Sequence, residues 1–328
     1  MPPDPAVSAV RTAVRRLLGS AAAAPFRGEP LVVACSGGAD SLALAAAASH
    51  AARHGGIAVH GLVVDHGLQA GSADVAVRAA EQLRELGCSA RVIKVEVGTG
   101  GGVEAAARHA RYTALRDERP PGSLVLLGHT LDDQAETVLL GLGRGSGARS
   151  ISGMRAVDPP WARPFLGIRR ATTEAACAAL GLEPWQDPHN SDSRFTRVRL
   201  RTEVLPLLED VLQGGVREAL ARTARQLRED ADALDVMAAE VQSRVEVRGA
   251  LDAVALKEVP GALRRRVLRS WLLERGIPEI TDEHLRAADS LVAEWRGQGG
   301  PALPGDFVLR RAHGTLLVEA AGRKPPNV

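Results

Sequence analysis

The sequence predicts an α/β protein: a parallel sheet with helices on both faces, followed by a smaller, mainly helical C-terminal domain. Three observations carry that prediction. Apolar, β-branched runs alternate with helical segments up to about residue 145. The first run, Leu31 to Cys35, empties into the glycine turn Ser36-Gly37-Gly38-Ala39-Asp40-Ser41, which opens an alanine-rich helix. Past residue 210 the apolar residues recur at three- and four-residue multiples, the period of helices packed by one face. That change of period separates an expected first domain, 1–210, from a second, 211–328.

In chain order, strands are expected at Leu31–Cys35, Ile57–Val64, Ala90–Val97 and Leu124–Leu127. Helices are expected at Ser41–Arg53, Ala73–Leu86, Val103–Arg119 and Leu131–Leu142. Strands joined by helical crossovers pair in parallel, and such sheets bind ligands beyond the carboxyl ends of their strands. Ser36–Ser41 follows the first strand, Asp65-His66 the second and His129 the fourth, so the polar candidates gather at that edge. Gly141–Gly153, rich in Gly and Ser, reads either as a mobile loop over a nucleotide or as a plain linker. In Phe195–Leu208, Arg197, Arg199 and Arg201 alternate before a helical break at Pro206. Val216, Leu220, Leu227, Leu234, Met237, Val241 and Val245 form the stripe of one long amphipathic helix. Pro260–Glu274 sets Leu263, Val267 and Trp271 on one face, with Arg264, Arg265 and Arg269 elsewhere. Thr281 N-caps a helix to Trp295, and Phe307–Arg311 with Leu316–Glu319 reads as a hairpin. Only the chain ends read as disordered.

Composition narrows the function classes. The 328 residues are 45% hydrophobic, enough for two cores, and a formal charge of +2 does not by itself suggest nucleic acid. Cys35, Cys88 and Cys177 form no Cys-x-x-Cys pair, which argues against a disulfide framework, a zinc site or an iron–sulfur site. No stretch is apolar enough to cross a membrane and the start lacks a signal-peptide core, so a cytoplasmic protein is expected.

Two constellations carry chemistry. Without a Cβ, Gly37 and Gly38 let their amides approach a phosphate, and the helix N-terminus behind them adds unpaired donors. Ser36 and Ser41 offer hydroxyls to phosphoryl oxygens, and Asp40 suits a magnesium ligand. The turn is neither a lysine-bearing Walker loop nor a G-x-G-x-x-G turn. The second constellation is Gly128–Thr137. Thr130 caps that helix, Leu131, Ala135, Val138 and Leu142 make its buried stripe, and Asp133 and Glu136 share an adjacent face. Capping and dipole pairing explain these polar residues singly, but not their convergence with His129 beside a phosphate loop.

Ser-Gly-Gly-x-Asp-Ser resembles the PP-loop of the ATP pyrophosphatase superfamily, whose members cleave ATP to AMP and pyrophosphate and adenylate a substrate. The resemblance narrows to the tRNA(Ile)-lysidine synthetase family. VVDHGL (Val63–Leu68), ARHARY (Ala107–Tyr112), GHTLDDQAETVLLGLGRGSG (Gly128–Gly147), RPFLGIRR (Arg163–Arg170) and WQDPHNSDSRFTRVRLR (Trp185–Arg201) look like its successive motifs. The match spans about residues 30–210 and is weaker beyond, where it rests on helical character and LPGDFVLRR. The family often shows Arg-Asn-Arg where this chain has Arg197-Val198-Arg199.

The resemblance implies a PP-loop ATPase fold and a ligase that uses ATP and magnesium. Its substrates would be free L-lysine and the wobble cytidine of an isoleucine tRNA with a CAU anticodon. Ser36, Gly37, Gly38, Ala39, Asp40 and Ser41 would hold the nucleotide, with Asp40 on the metal. Asp133 and Glu136 would capture lysine, and a carboxylate or His129 would help deprotonate its amine. Arg108, Arg111 and Arg199 are candidates for phosphate or tRNA contact, and residues 211–328 for tRNA recognition. At nearly neutral charge, tRNA affinity would rest on local clusters such as Arg197–Arg201 and Arg264–Arg269. Trp185, Trp271 and Trp295 are assigned to packing, and a homodimer is compatible with the chain. Two rivals stay open: a tRNA sulfur-transfer enzyme, and a non-catalytic nucleotide sensor on the same fold.

Overall fold

The computed structural model describes residues 3–53, 55–69, 71–98, 102–145, 147–188 and 192–321. The ends expected to be disordered, 1–2 and 322–328, lie outside the described residues, as do 189–191 of the Trp185–Arg201 motif. The chain forms two compact units, Met1–Arg225 and Gln226–Val328.

The first unit begins with a helix that the sequence reading left unassigned, α1 (Pro5–Leu18). Asp4 caps it by accepting the Ala6 N–H at 2.7 Å, Pro5 sits where a helix tolerates proline, and Val7, Val10, Val14 and Leu17 form its buried stripe. Strand and helix then alternate: β1 (Leu31–Cys35), α2 (Ala39–Arg53), β2 (Val59–Asp65), α3 (Ser72–Glu85), β3 (Ser89–Lys94), α4 (Val103–Glu118), β4 (Leu124–Leu126) and α5 (Leu131–Gly143). After α6 (Ala148–Ile151) come two short strands, β5 (Val157–Asp158) and β6 (Trp161–Ala162), and then α7 (Arg170–Ala179).

The sheet runs β3-β2-β1-β4-β6-β5, parallel except for β5 at the edge. Leu31 of β1 lies level with Val59 of β2 on one side and Leu124 of β4 on the other. The chain moves outward from β1 to β3 and then returns to β1's other flank, so the crossovers reverse between β1 and β4. That reversal leaves a crevice at the carboxyl ends of the two strands. Both faces are covered, as a parallel sheet requires: Leu31, Val33 and Cys35 pack with α2, while Val32, Leu62 and Val125 pack with Leu115 and Trp161. The alanines of α2 are buried almost all round, which lets α1, α3 and α7 approach it closely.

Two readings of the following segment change. Gly141–Gly153 does not run free as an open loop in its described part, because α6 packs back on α5. A Cβ on Gly141 would collide with the Ser150 carbonyl, so glycine is what permits the contact. No helical break occurs at Pro206: α8 (Thr196–Arg199), a π turn (Leu200–Val204) and α9 (Leu205–Val211) follow without interruption, with Pro206 in the first turn of α9. The π turn directly before it is where the ladder adjusts to the N–H that Pro206 lacks.

The helix α10 (Val216–Val245) has the length its pattern predicted. Its buried side chains include Val216, Ala224, Ala231, Ala238, Val241 and Val245, whereas Met237 of the expected stripe is 49% exposed. The second unit continues through β7 (Glu246–Val247), β8 (Ala250–Asp252), α11 (Ala253–Lys257), α12 (Gly261–Glu274), α13 (Asp282–Ala293), β9 (Ala302–Leu303), β10 (Phe307–Ala312) and β11 (Thr315–Ala320). The expected hairpin, β10–β11, lies inside an antiparallel sheet of order β7-β8-β11-β10-β9. Its other members are two or three residues long, too short to leave a periodic signal. Leu263, Val267 and Trp271 are buried as expected, and Thr281 caps α13 through the His284 N–H. Trp295 is 39% exposed, with the Arg311 guanidinium 5.2 Å from its ring centre, so it is not a core residue.

Among the described residues, no helix is long and apolar enough to cross a membrane.

Candidate active site

A cavity of about 1040 Å³ opens at the carboxyl ends of β1 and β4. Ser36, Gly38, Ala39, Asp40 and Ser41 line one wall, and His66, Arg111, His129, Asp133, Arg170, Glu174 and Arg201 line others. The glycine turn is shaped from beneath. Ser41 is 6% exposed; its hydroxyl donates to the Gly38 carbonyl at 2.9 Å and accepts the Ser36 N–H at 3.2 Å. Ser41 therefore braces the loop, a role the sequence reading did not give it. Gly37, at φ +82°, receives the Trp185 N–H on its carbonyl at 2.9 Å. Gly128 closes the crevice floor, since a Cβ there would press on the Asp40 backbone at 3.0 Å. Trp185 also lines the cavity, which removes it from simple packing.

The charged groups form a chain. Arg170, the first residue of α7, reaches Asp40 Oδ2 with Nη1 at 3.0 Å and Asp133 Oδ1 with Nη2 at 2.8 Å. Asp133 Oδ2 accepts the Thr130 N–H at 2.7 Å, closing the capping box of α5. Arg201 Nε donates to Glu136 Oε1 at 2.8 Å, and its Nη2 lies 3.7 Å from Asp133. Arg197 approaches Glu136 Oε2 at 3.6 Å. Spaced four apart on a helical segment, Arg197 and Arg201 meet one carboxylate, while Arg199 on another face pairs with Glu203 at 2.9 Å.

Burial and these neighbours set the protonation states. Burial pushes the Asp40 carboxyl up to about 6, although Arg170 and the Thr173 hydroxyl both favour its anion. Burial likewise raises Glu136, only partly offset by Arg201. At Asp133 burial is outweighed by Arg170 and the Thr130 N–H, which hold the carboxyl below its usual range. Burial lowers His129 to about 3 against the pull of Asp133, so its imidazole is neutral at physiological pH. Its Nδ1 and Glu136 Oε2 are buried without a hydrogen-bond partner among the described residues. Groups held in this way suit a site completed by a ligand.

Residues 10–208 match the model of the PP-loop domain, and residues 251–317 that of the TilS substrate binding domain. The tRNA(Ile)-lysidine synthase of Nocardia farcinica is 59% identical over 307 residues, covering 92% of this chain and 95% of that one. That of Rhodococcus erythropolis is 55% identical, with 99% of each chain covered. The chain belongs to the tRNA(Ile)-lysidine synthase family. Among solved structures, the U34-tRNA thiolase NcsA from Methanococcus maripaludis with its [4Fe-4S] cluster shares the fold at a TM-score of 0.55. It is 16% identical, with 68% of this chain and 79% of that one covered.

The family's site residues, as read from the sequence, are brought together unequally. The phosphate turn, Asp40, His129 and Asp133 share the cavity with Arg111. Glu136 does not line it: fully buried, it stands behind Arg201. Asp133 and Glu136 are thus not an open anionic pocket, because arginines already partner both. Arg108 is exposed and stacks over Tyr112 at 4.9 Å, and Arg199 is exposed beside Glu203; neither lines the cavity. Arg170 and Arg201 were missed as site residues. Each closes a motif quoted above, Arg163–Arg170 and Trp185–Arg201, but nothing local sets it apart from its neighbouring arginines; only the approach of α7 and of the π turn Leu200–Val204 to α5 shows what each meets.

Proposed function

We propose that the cavity carries out ATP-dependent lysidine formation on an isoleucine tRNA with a CAU anticodon. The observation that carries this reading is the meeting, at one switch point, of a phosphate turn and a carboxylate cluster. In the first step the cytidine O2 attacks the α-phosphorus, and the bond to pyrophosphate breaks. In the second the ε-amine of lysine attacks C2, and the bond to AMP breaks while the amine loses a proton.

Each wall has work in that sequence. The Gly38–Ser41 turn and the first turn of α2 face the charge that develops on the phosphates. Asp40 fits a divalent cation by its place: it lines the cavity on the phosphate turn, with the carboxylates of Asp133 and Glu174 on the same cavity. Asp40 is the residue that would hold magnesium, and magnesium when bound supplies neutralising charge for the leaving pyrophosphate. Asp133, which lines the cavity with Arg170 and Thr130 on its oxygens, is proposed to meet the lysine ammonium, with Glu136 behind it on Arg201. His129, neutral and with a free Nδ1, is a hydrogen-bond partner for the base or the amine. Arg108, Arg111 and Arg199, together with residues 211–328, are proposed for tRNA contact in a cytoplasmic enzyme; a homodimer is compatible with this.

The cysteines favour ligation over sulfur transfer. Cys35, Cys88 and Cys177 are buried free thiols, and burial pushes Cys88 and Cys177 up to about 11, where a thiolate is scarce. The test is incorporation of labelled lysine into bulk tRNA. Incorporation that needs ATP is expected; pyrophosphate release that ignores lysine and tRNA would overturn the reading.

A further inference from the structure

The Arg170 side chain joins the two halves of the crevice. Asp40 follows β1, while Asp132 and Asp133 follow β4, the strands flanking the switch point. The two terminal nitrogens of Arg170 divide between Asp40 and Asp133, and its backbone N–H donates to Asp132 Oδ2 at 2.9 Å. This is not a surface pair: the Arg170 side chain is 25% exposed, and its partners are 19% and 14%. A guanidinium is planar and rigid, so its two amino groups fix the separation of the two carboxylates they hold. An ammonium offers a single nitrogen and cannot set that spacing.

We infer that Arg170 is a positioning residue of the ligase reaction, a fixed spacer that makes ATP binding at Asp40 depend on Asp133 across the switch point. The inference rests on the proposed function. The fold itself has other ties at this place. Ile168 O accepts the Leu131 N–H at 2.9 Å and Cys177 Sγ reaches Ala39 O at 3.3 Å, and neither uses the Arg170 side chain. Truncating that side chain should therefore leave α7 in place.

A double-mutant cycle tests it, with full-length protein and magnesium-ATP titrated calorimetrically for wild type, D133N, R170Q and the double variant. R170Q should weaken ATP binding about tenfold and D133N about threefold, although Asp133 is not on the phosphate turn. The double variant should bind no worse than R170Q, because D133N acts through the arginine. R170K should retain part of the affinity through its charge but lose the coupling, and it takes the place of R170Q if that variant melts early. Losses that multiply in the double variant, or an unchanged affinity in R170Q, would overturn the spacer. Because the cycle reads ATP binding alone, it is independent of labelled-lysine incorporation. A wild type that binds ATP but transfers no lysine sinks the proposed function, not the coupling.

Discussion

Both units of the molecule bury arginines against carboxylates, and they use them in opposite ways. In the second unit Arg264 pairs with Asp289 and also donates to the Val259 carbonyl at 3.0 Å. Arg265 shares Asp289, Arg266 meets Asp235, and Arg269 donates to the Ile280 carbonyl. The cluster Arg264–Arg269, which the sequence offers as a tRNA patch, is spent on holding α12 to its own unit. In the first unit the corresponding chain, Asp40–Arg170–Asp133–Arg201–Glu136, runs along a cavity that Asp40, Asp133, Arg170 and Arg201 line, beside a His129 Nδ1 with no hydrogen-bond partner among the described residues. Ion pairs sealed within a core mark architecture, and those that line a cavity mark the place where a ligand can join the set.

The contrast breaks or sharpens under substitution. The largest effect is expected at Asp40: Asp40→Ala should cut pyrophosphate release about 10²–10³-fold with little change in melting temperature. Full turnover at saturating magnesium would remove Asp40 from the chemistry. Arg264→Ala should do the reverse, costing about 1–3 kcal/mol of stability because the buried Asp289 keeps only Arg265 as a partner, while ATP affinity stays as it was. Urea unfolding beside ATP titration checks both halves, and a matching loss of ATP affinity would erase the distinction between the units.

A smaller effect concerns pH. His129 is depressed from 6.5 to about 3 in the fold, so below about pH 6.5 the unfolded chain binds a proton that the folded chain refuses. Stability from this group is therefore intact above pH 6.5 and lost as pH falls toward 3. The charged groups facing it are Asp133, which opposes the shift, and Arg163, Arg111 and Arg108, which reinforce it. Between about pH 7 and 5 wild type should lose on the order of 1–2 kcal/mol that His129→Asn does not. Parallel acid-side curves for the two proteins would refute the assignment. The smallest effect belongs to Arg199, exposed and paired within its own helical turn. Arg199→Ala should shift stability by less than about 0.5 kcal/mol but lower the salt slope of tRNA binding by about one if it meets a phosphate. An unaltered slope would make Arg199 a surface group.

Much of the first unit was legible because its signals are local. An apolar run followed by Ser-Gly-Gly-Ala-Asp-Ser specifies strand, turn and helix within a dozen residues, and the four main strands fall near their expected places. The N-terminal helix starts among prolines, which mask its signal although a helix accepts proline in its first turn. The arginines of Thr196–Val211 looked alternating because a period of two and a period of four coincide at Arg197 and Arg201. Only a helix decides that those two share a face and Arg199 does not.

The sequence by itself determined the α/β order, the phosphate turn, the capped helix bearing Asp133 and Glu136, and the long helix of the second region. Each follows from backbone chemistry and hydrophobic period acting over neighbouring residues. The tertiary structure alone decided which charges stay open. Whether an arginine closes on Asp289 or spans Asp40 and Asp133 depends on carboxylates tens of residues away, and on the burial that makes an unpaired charge costly.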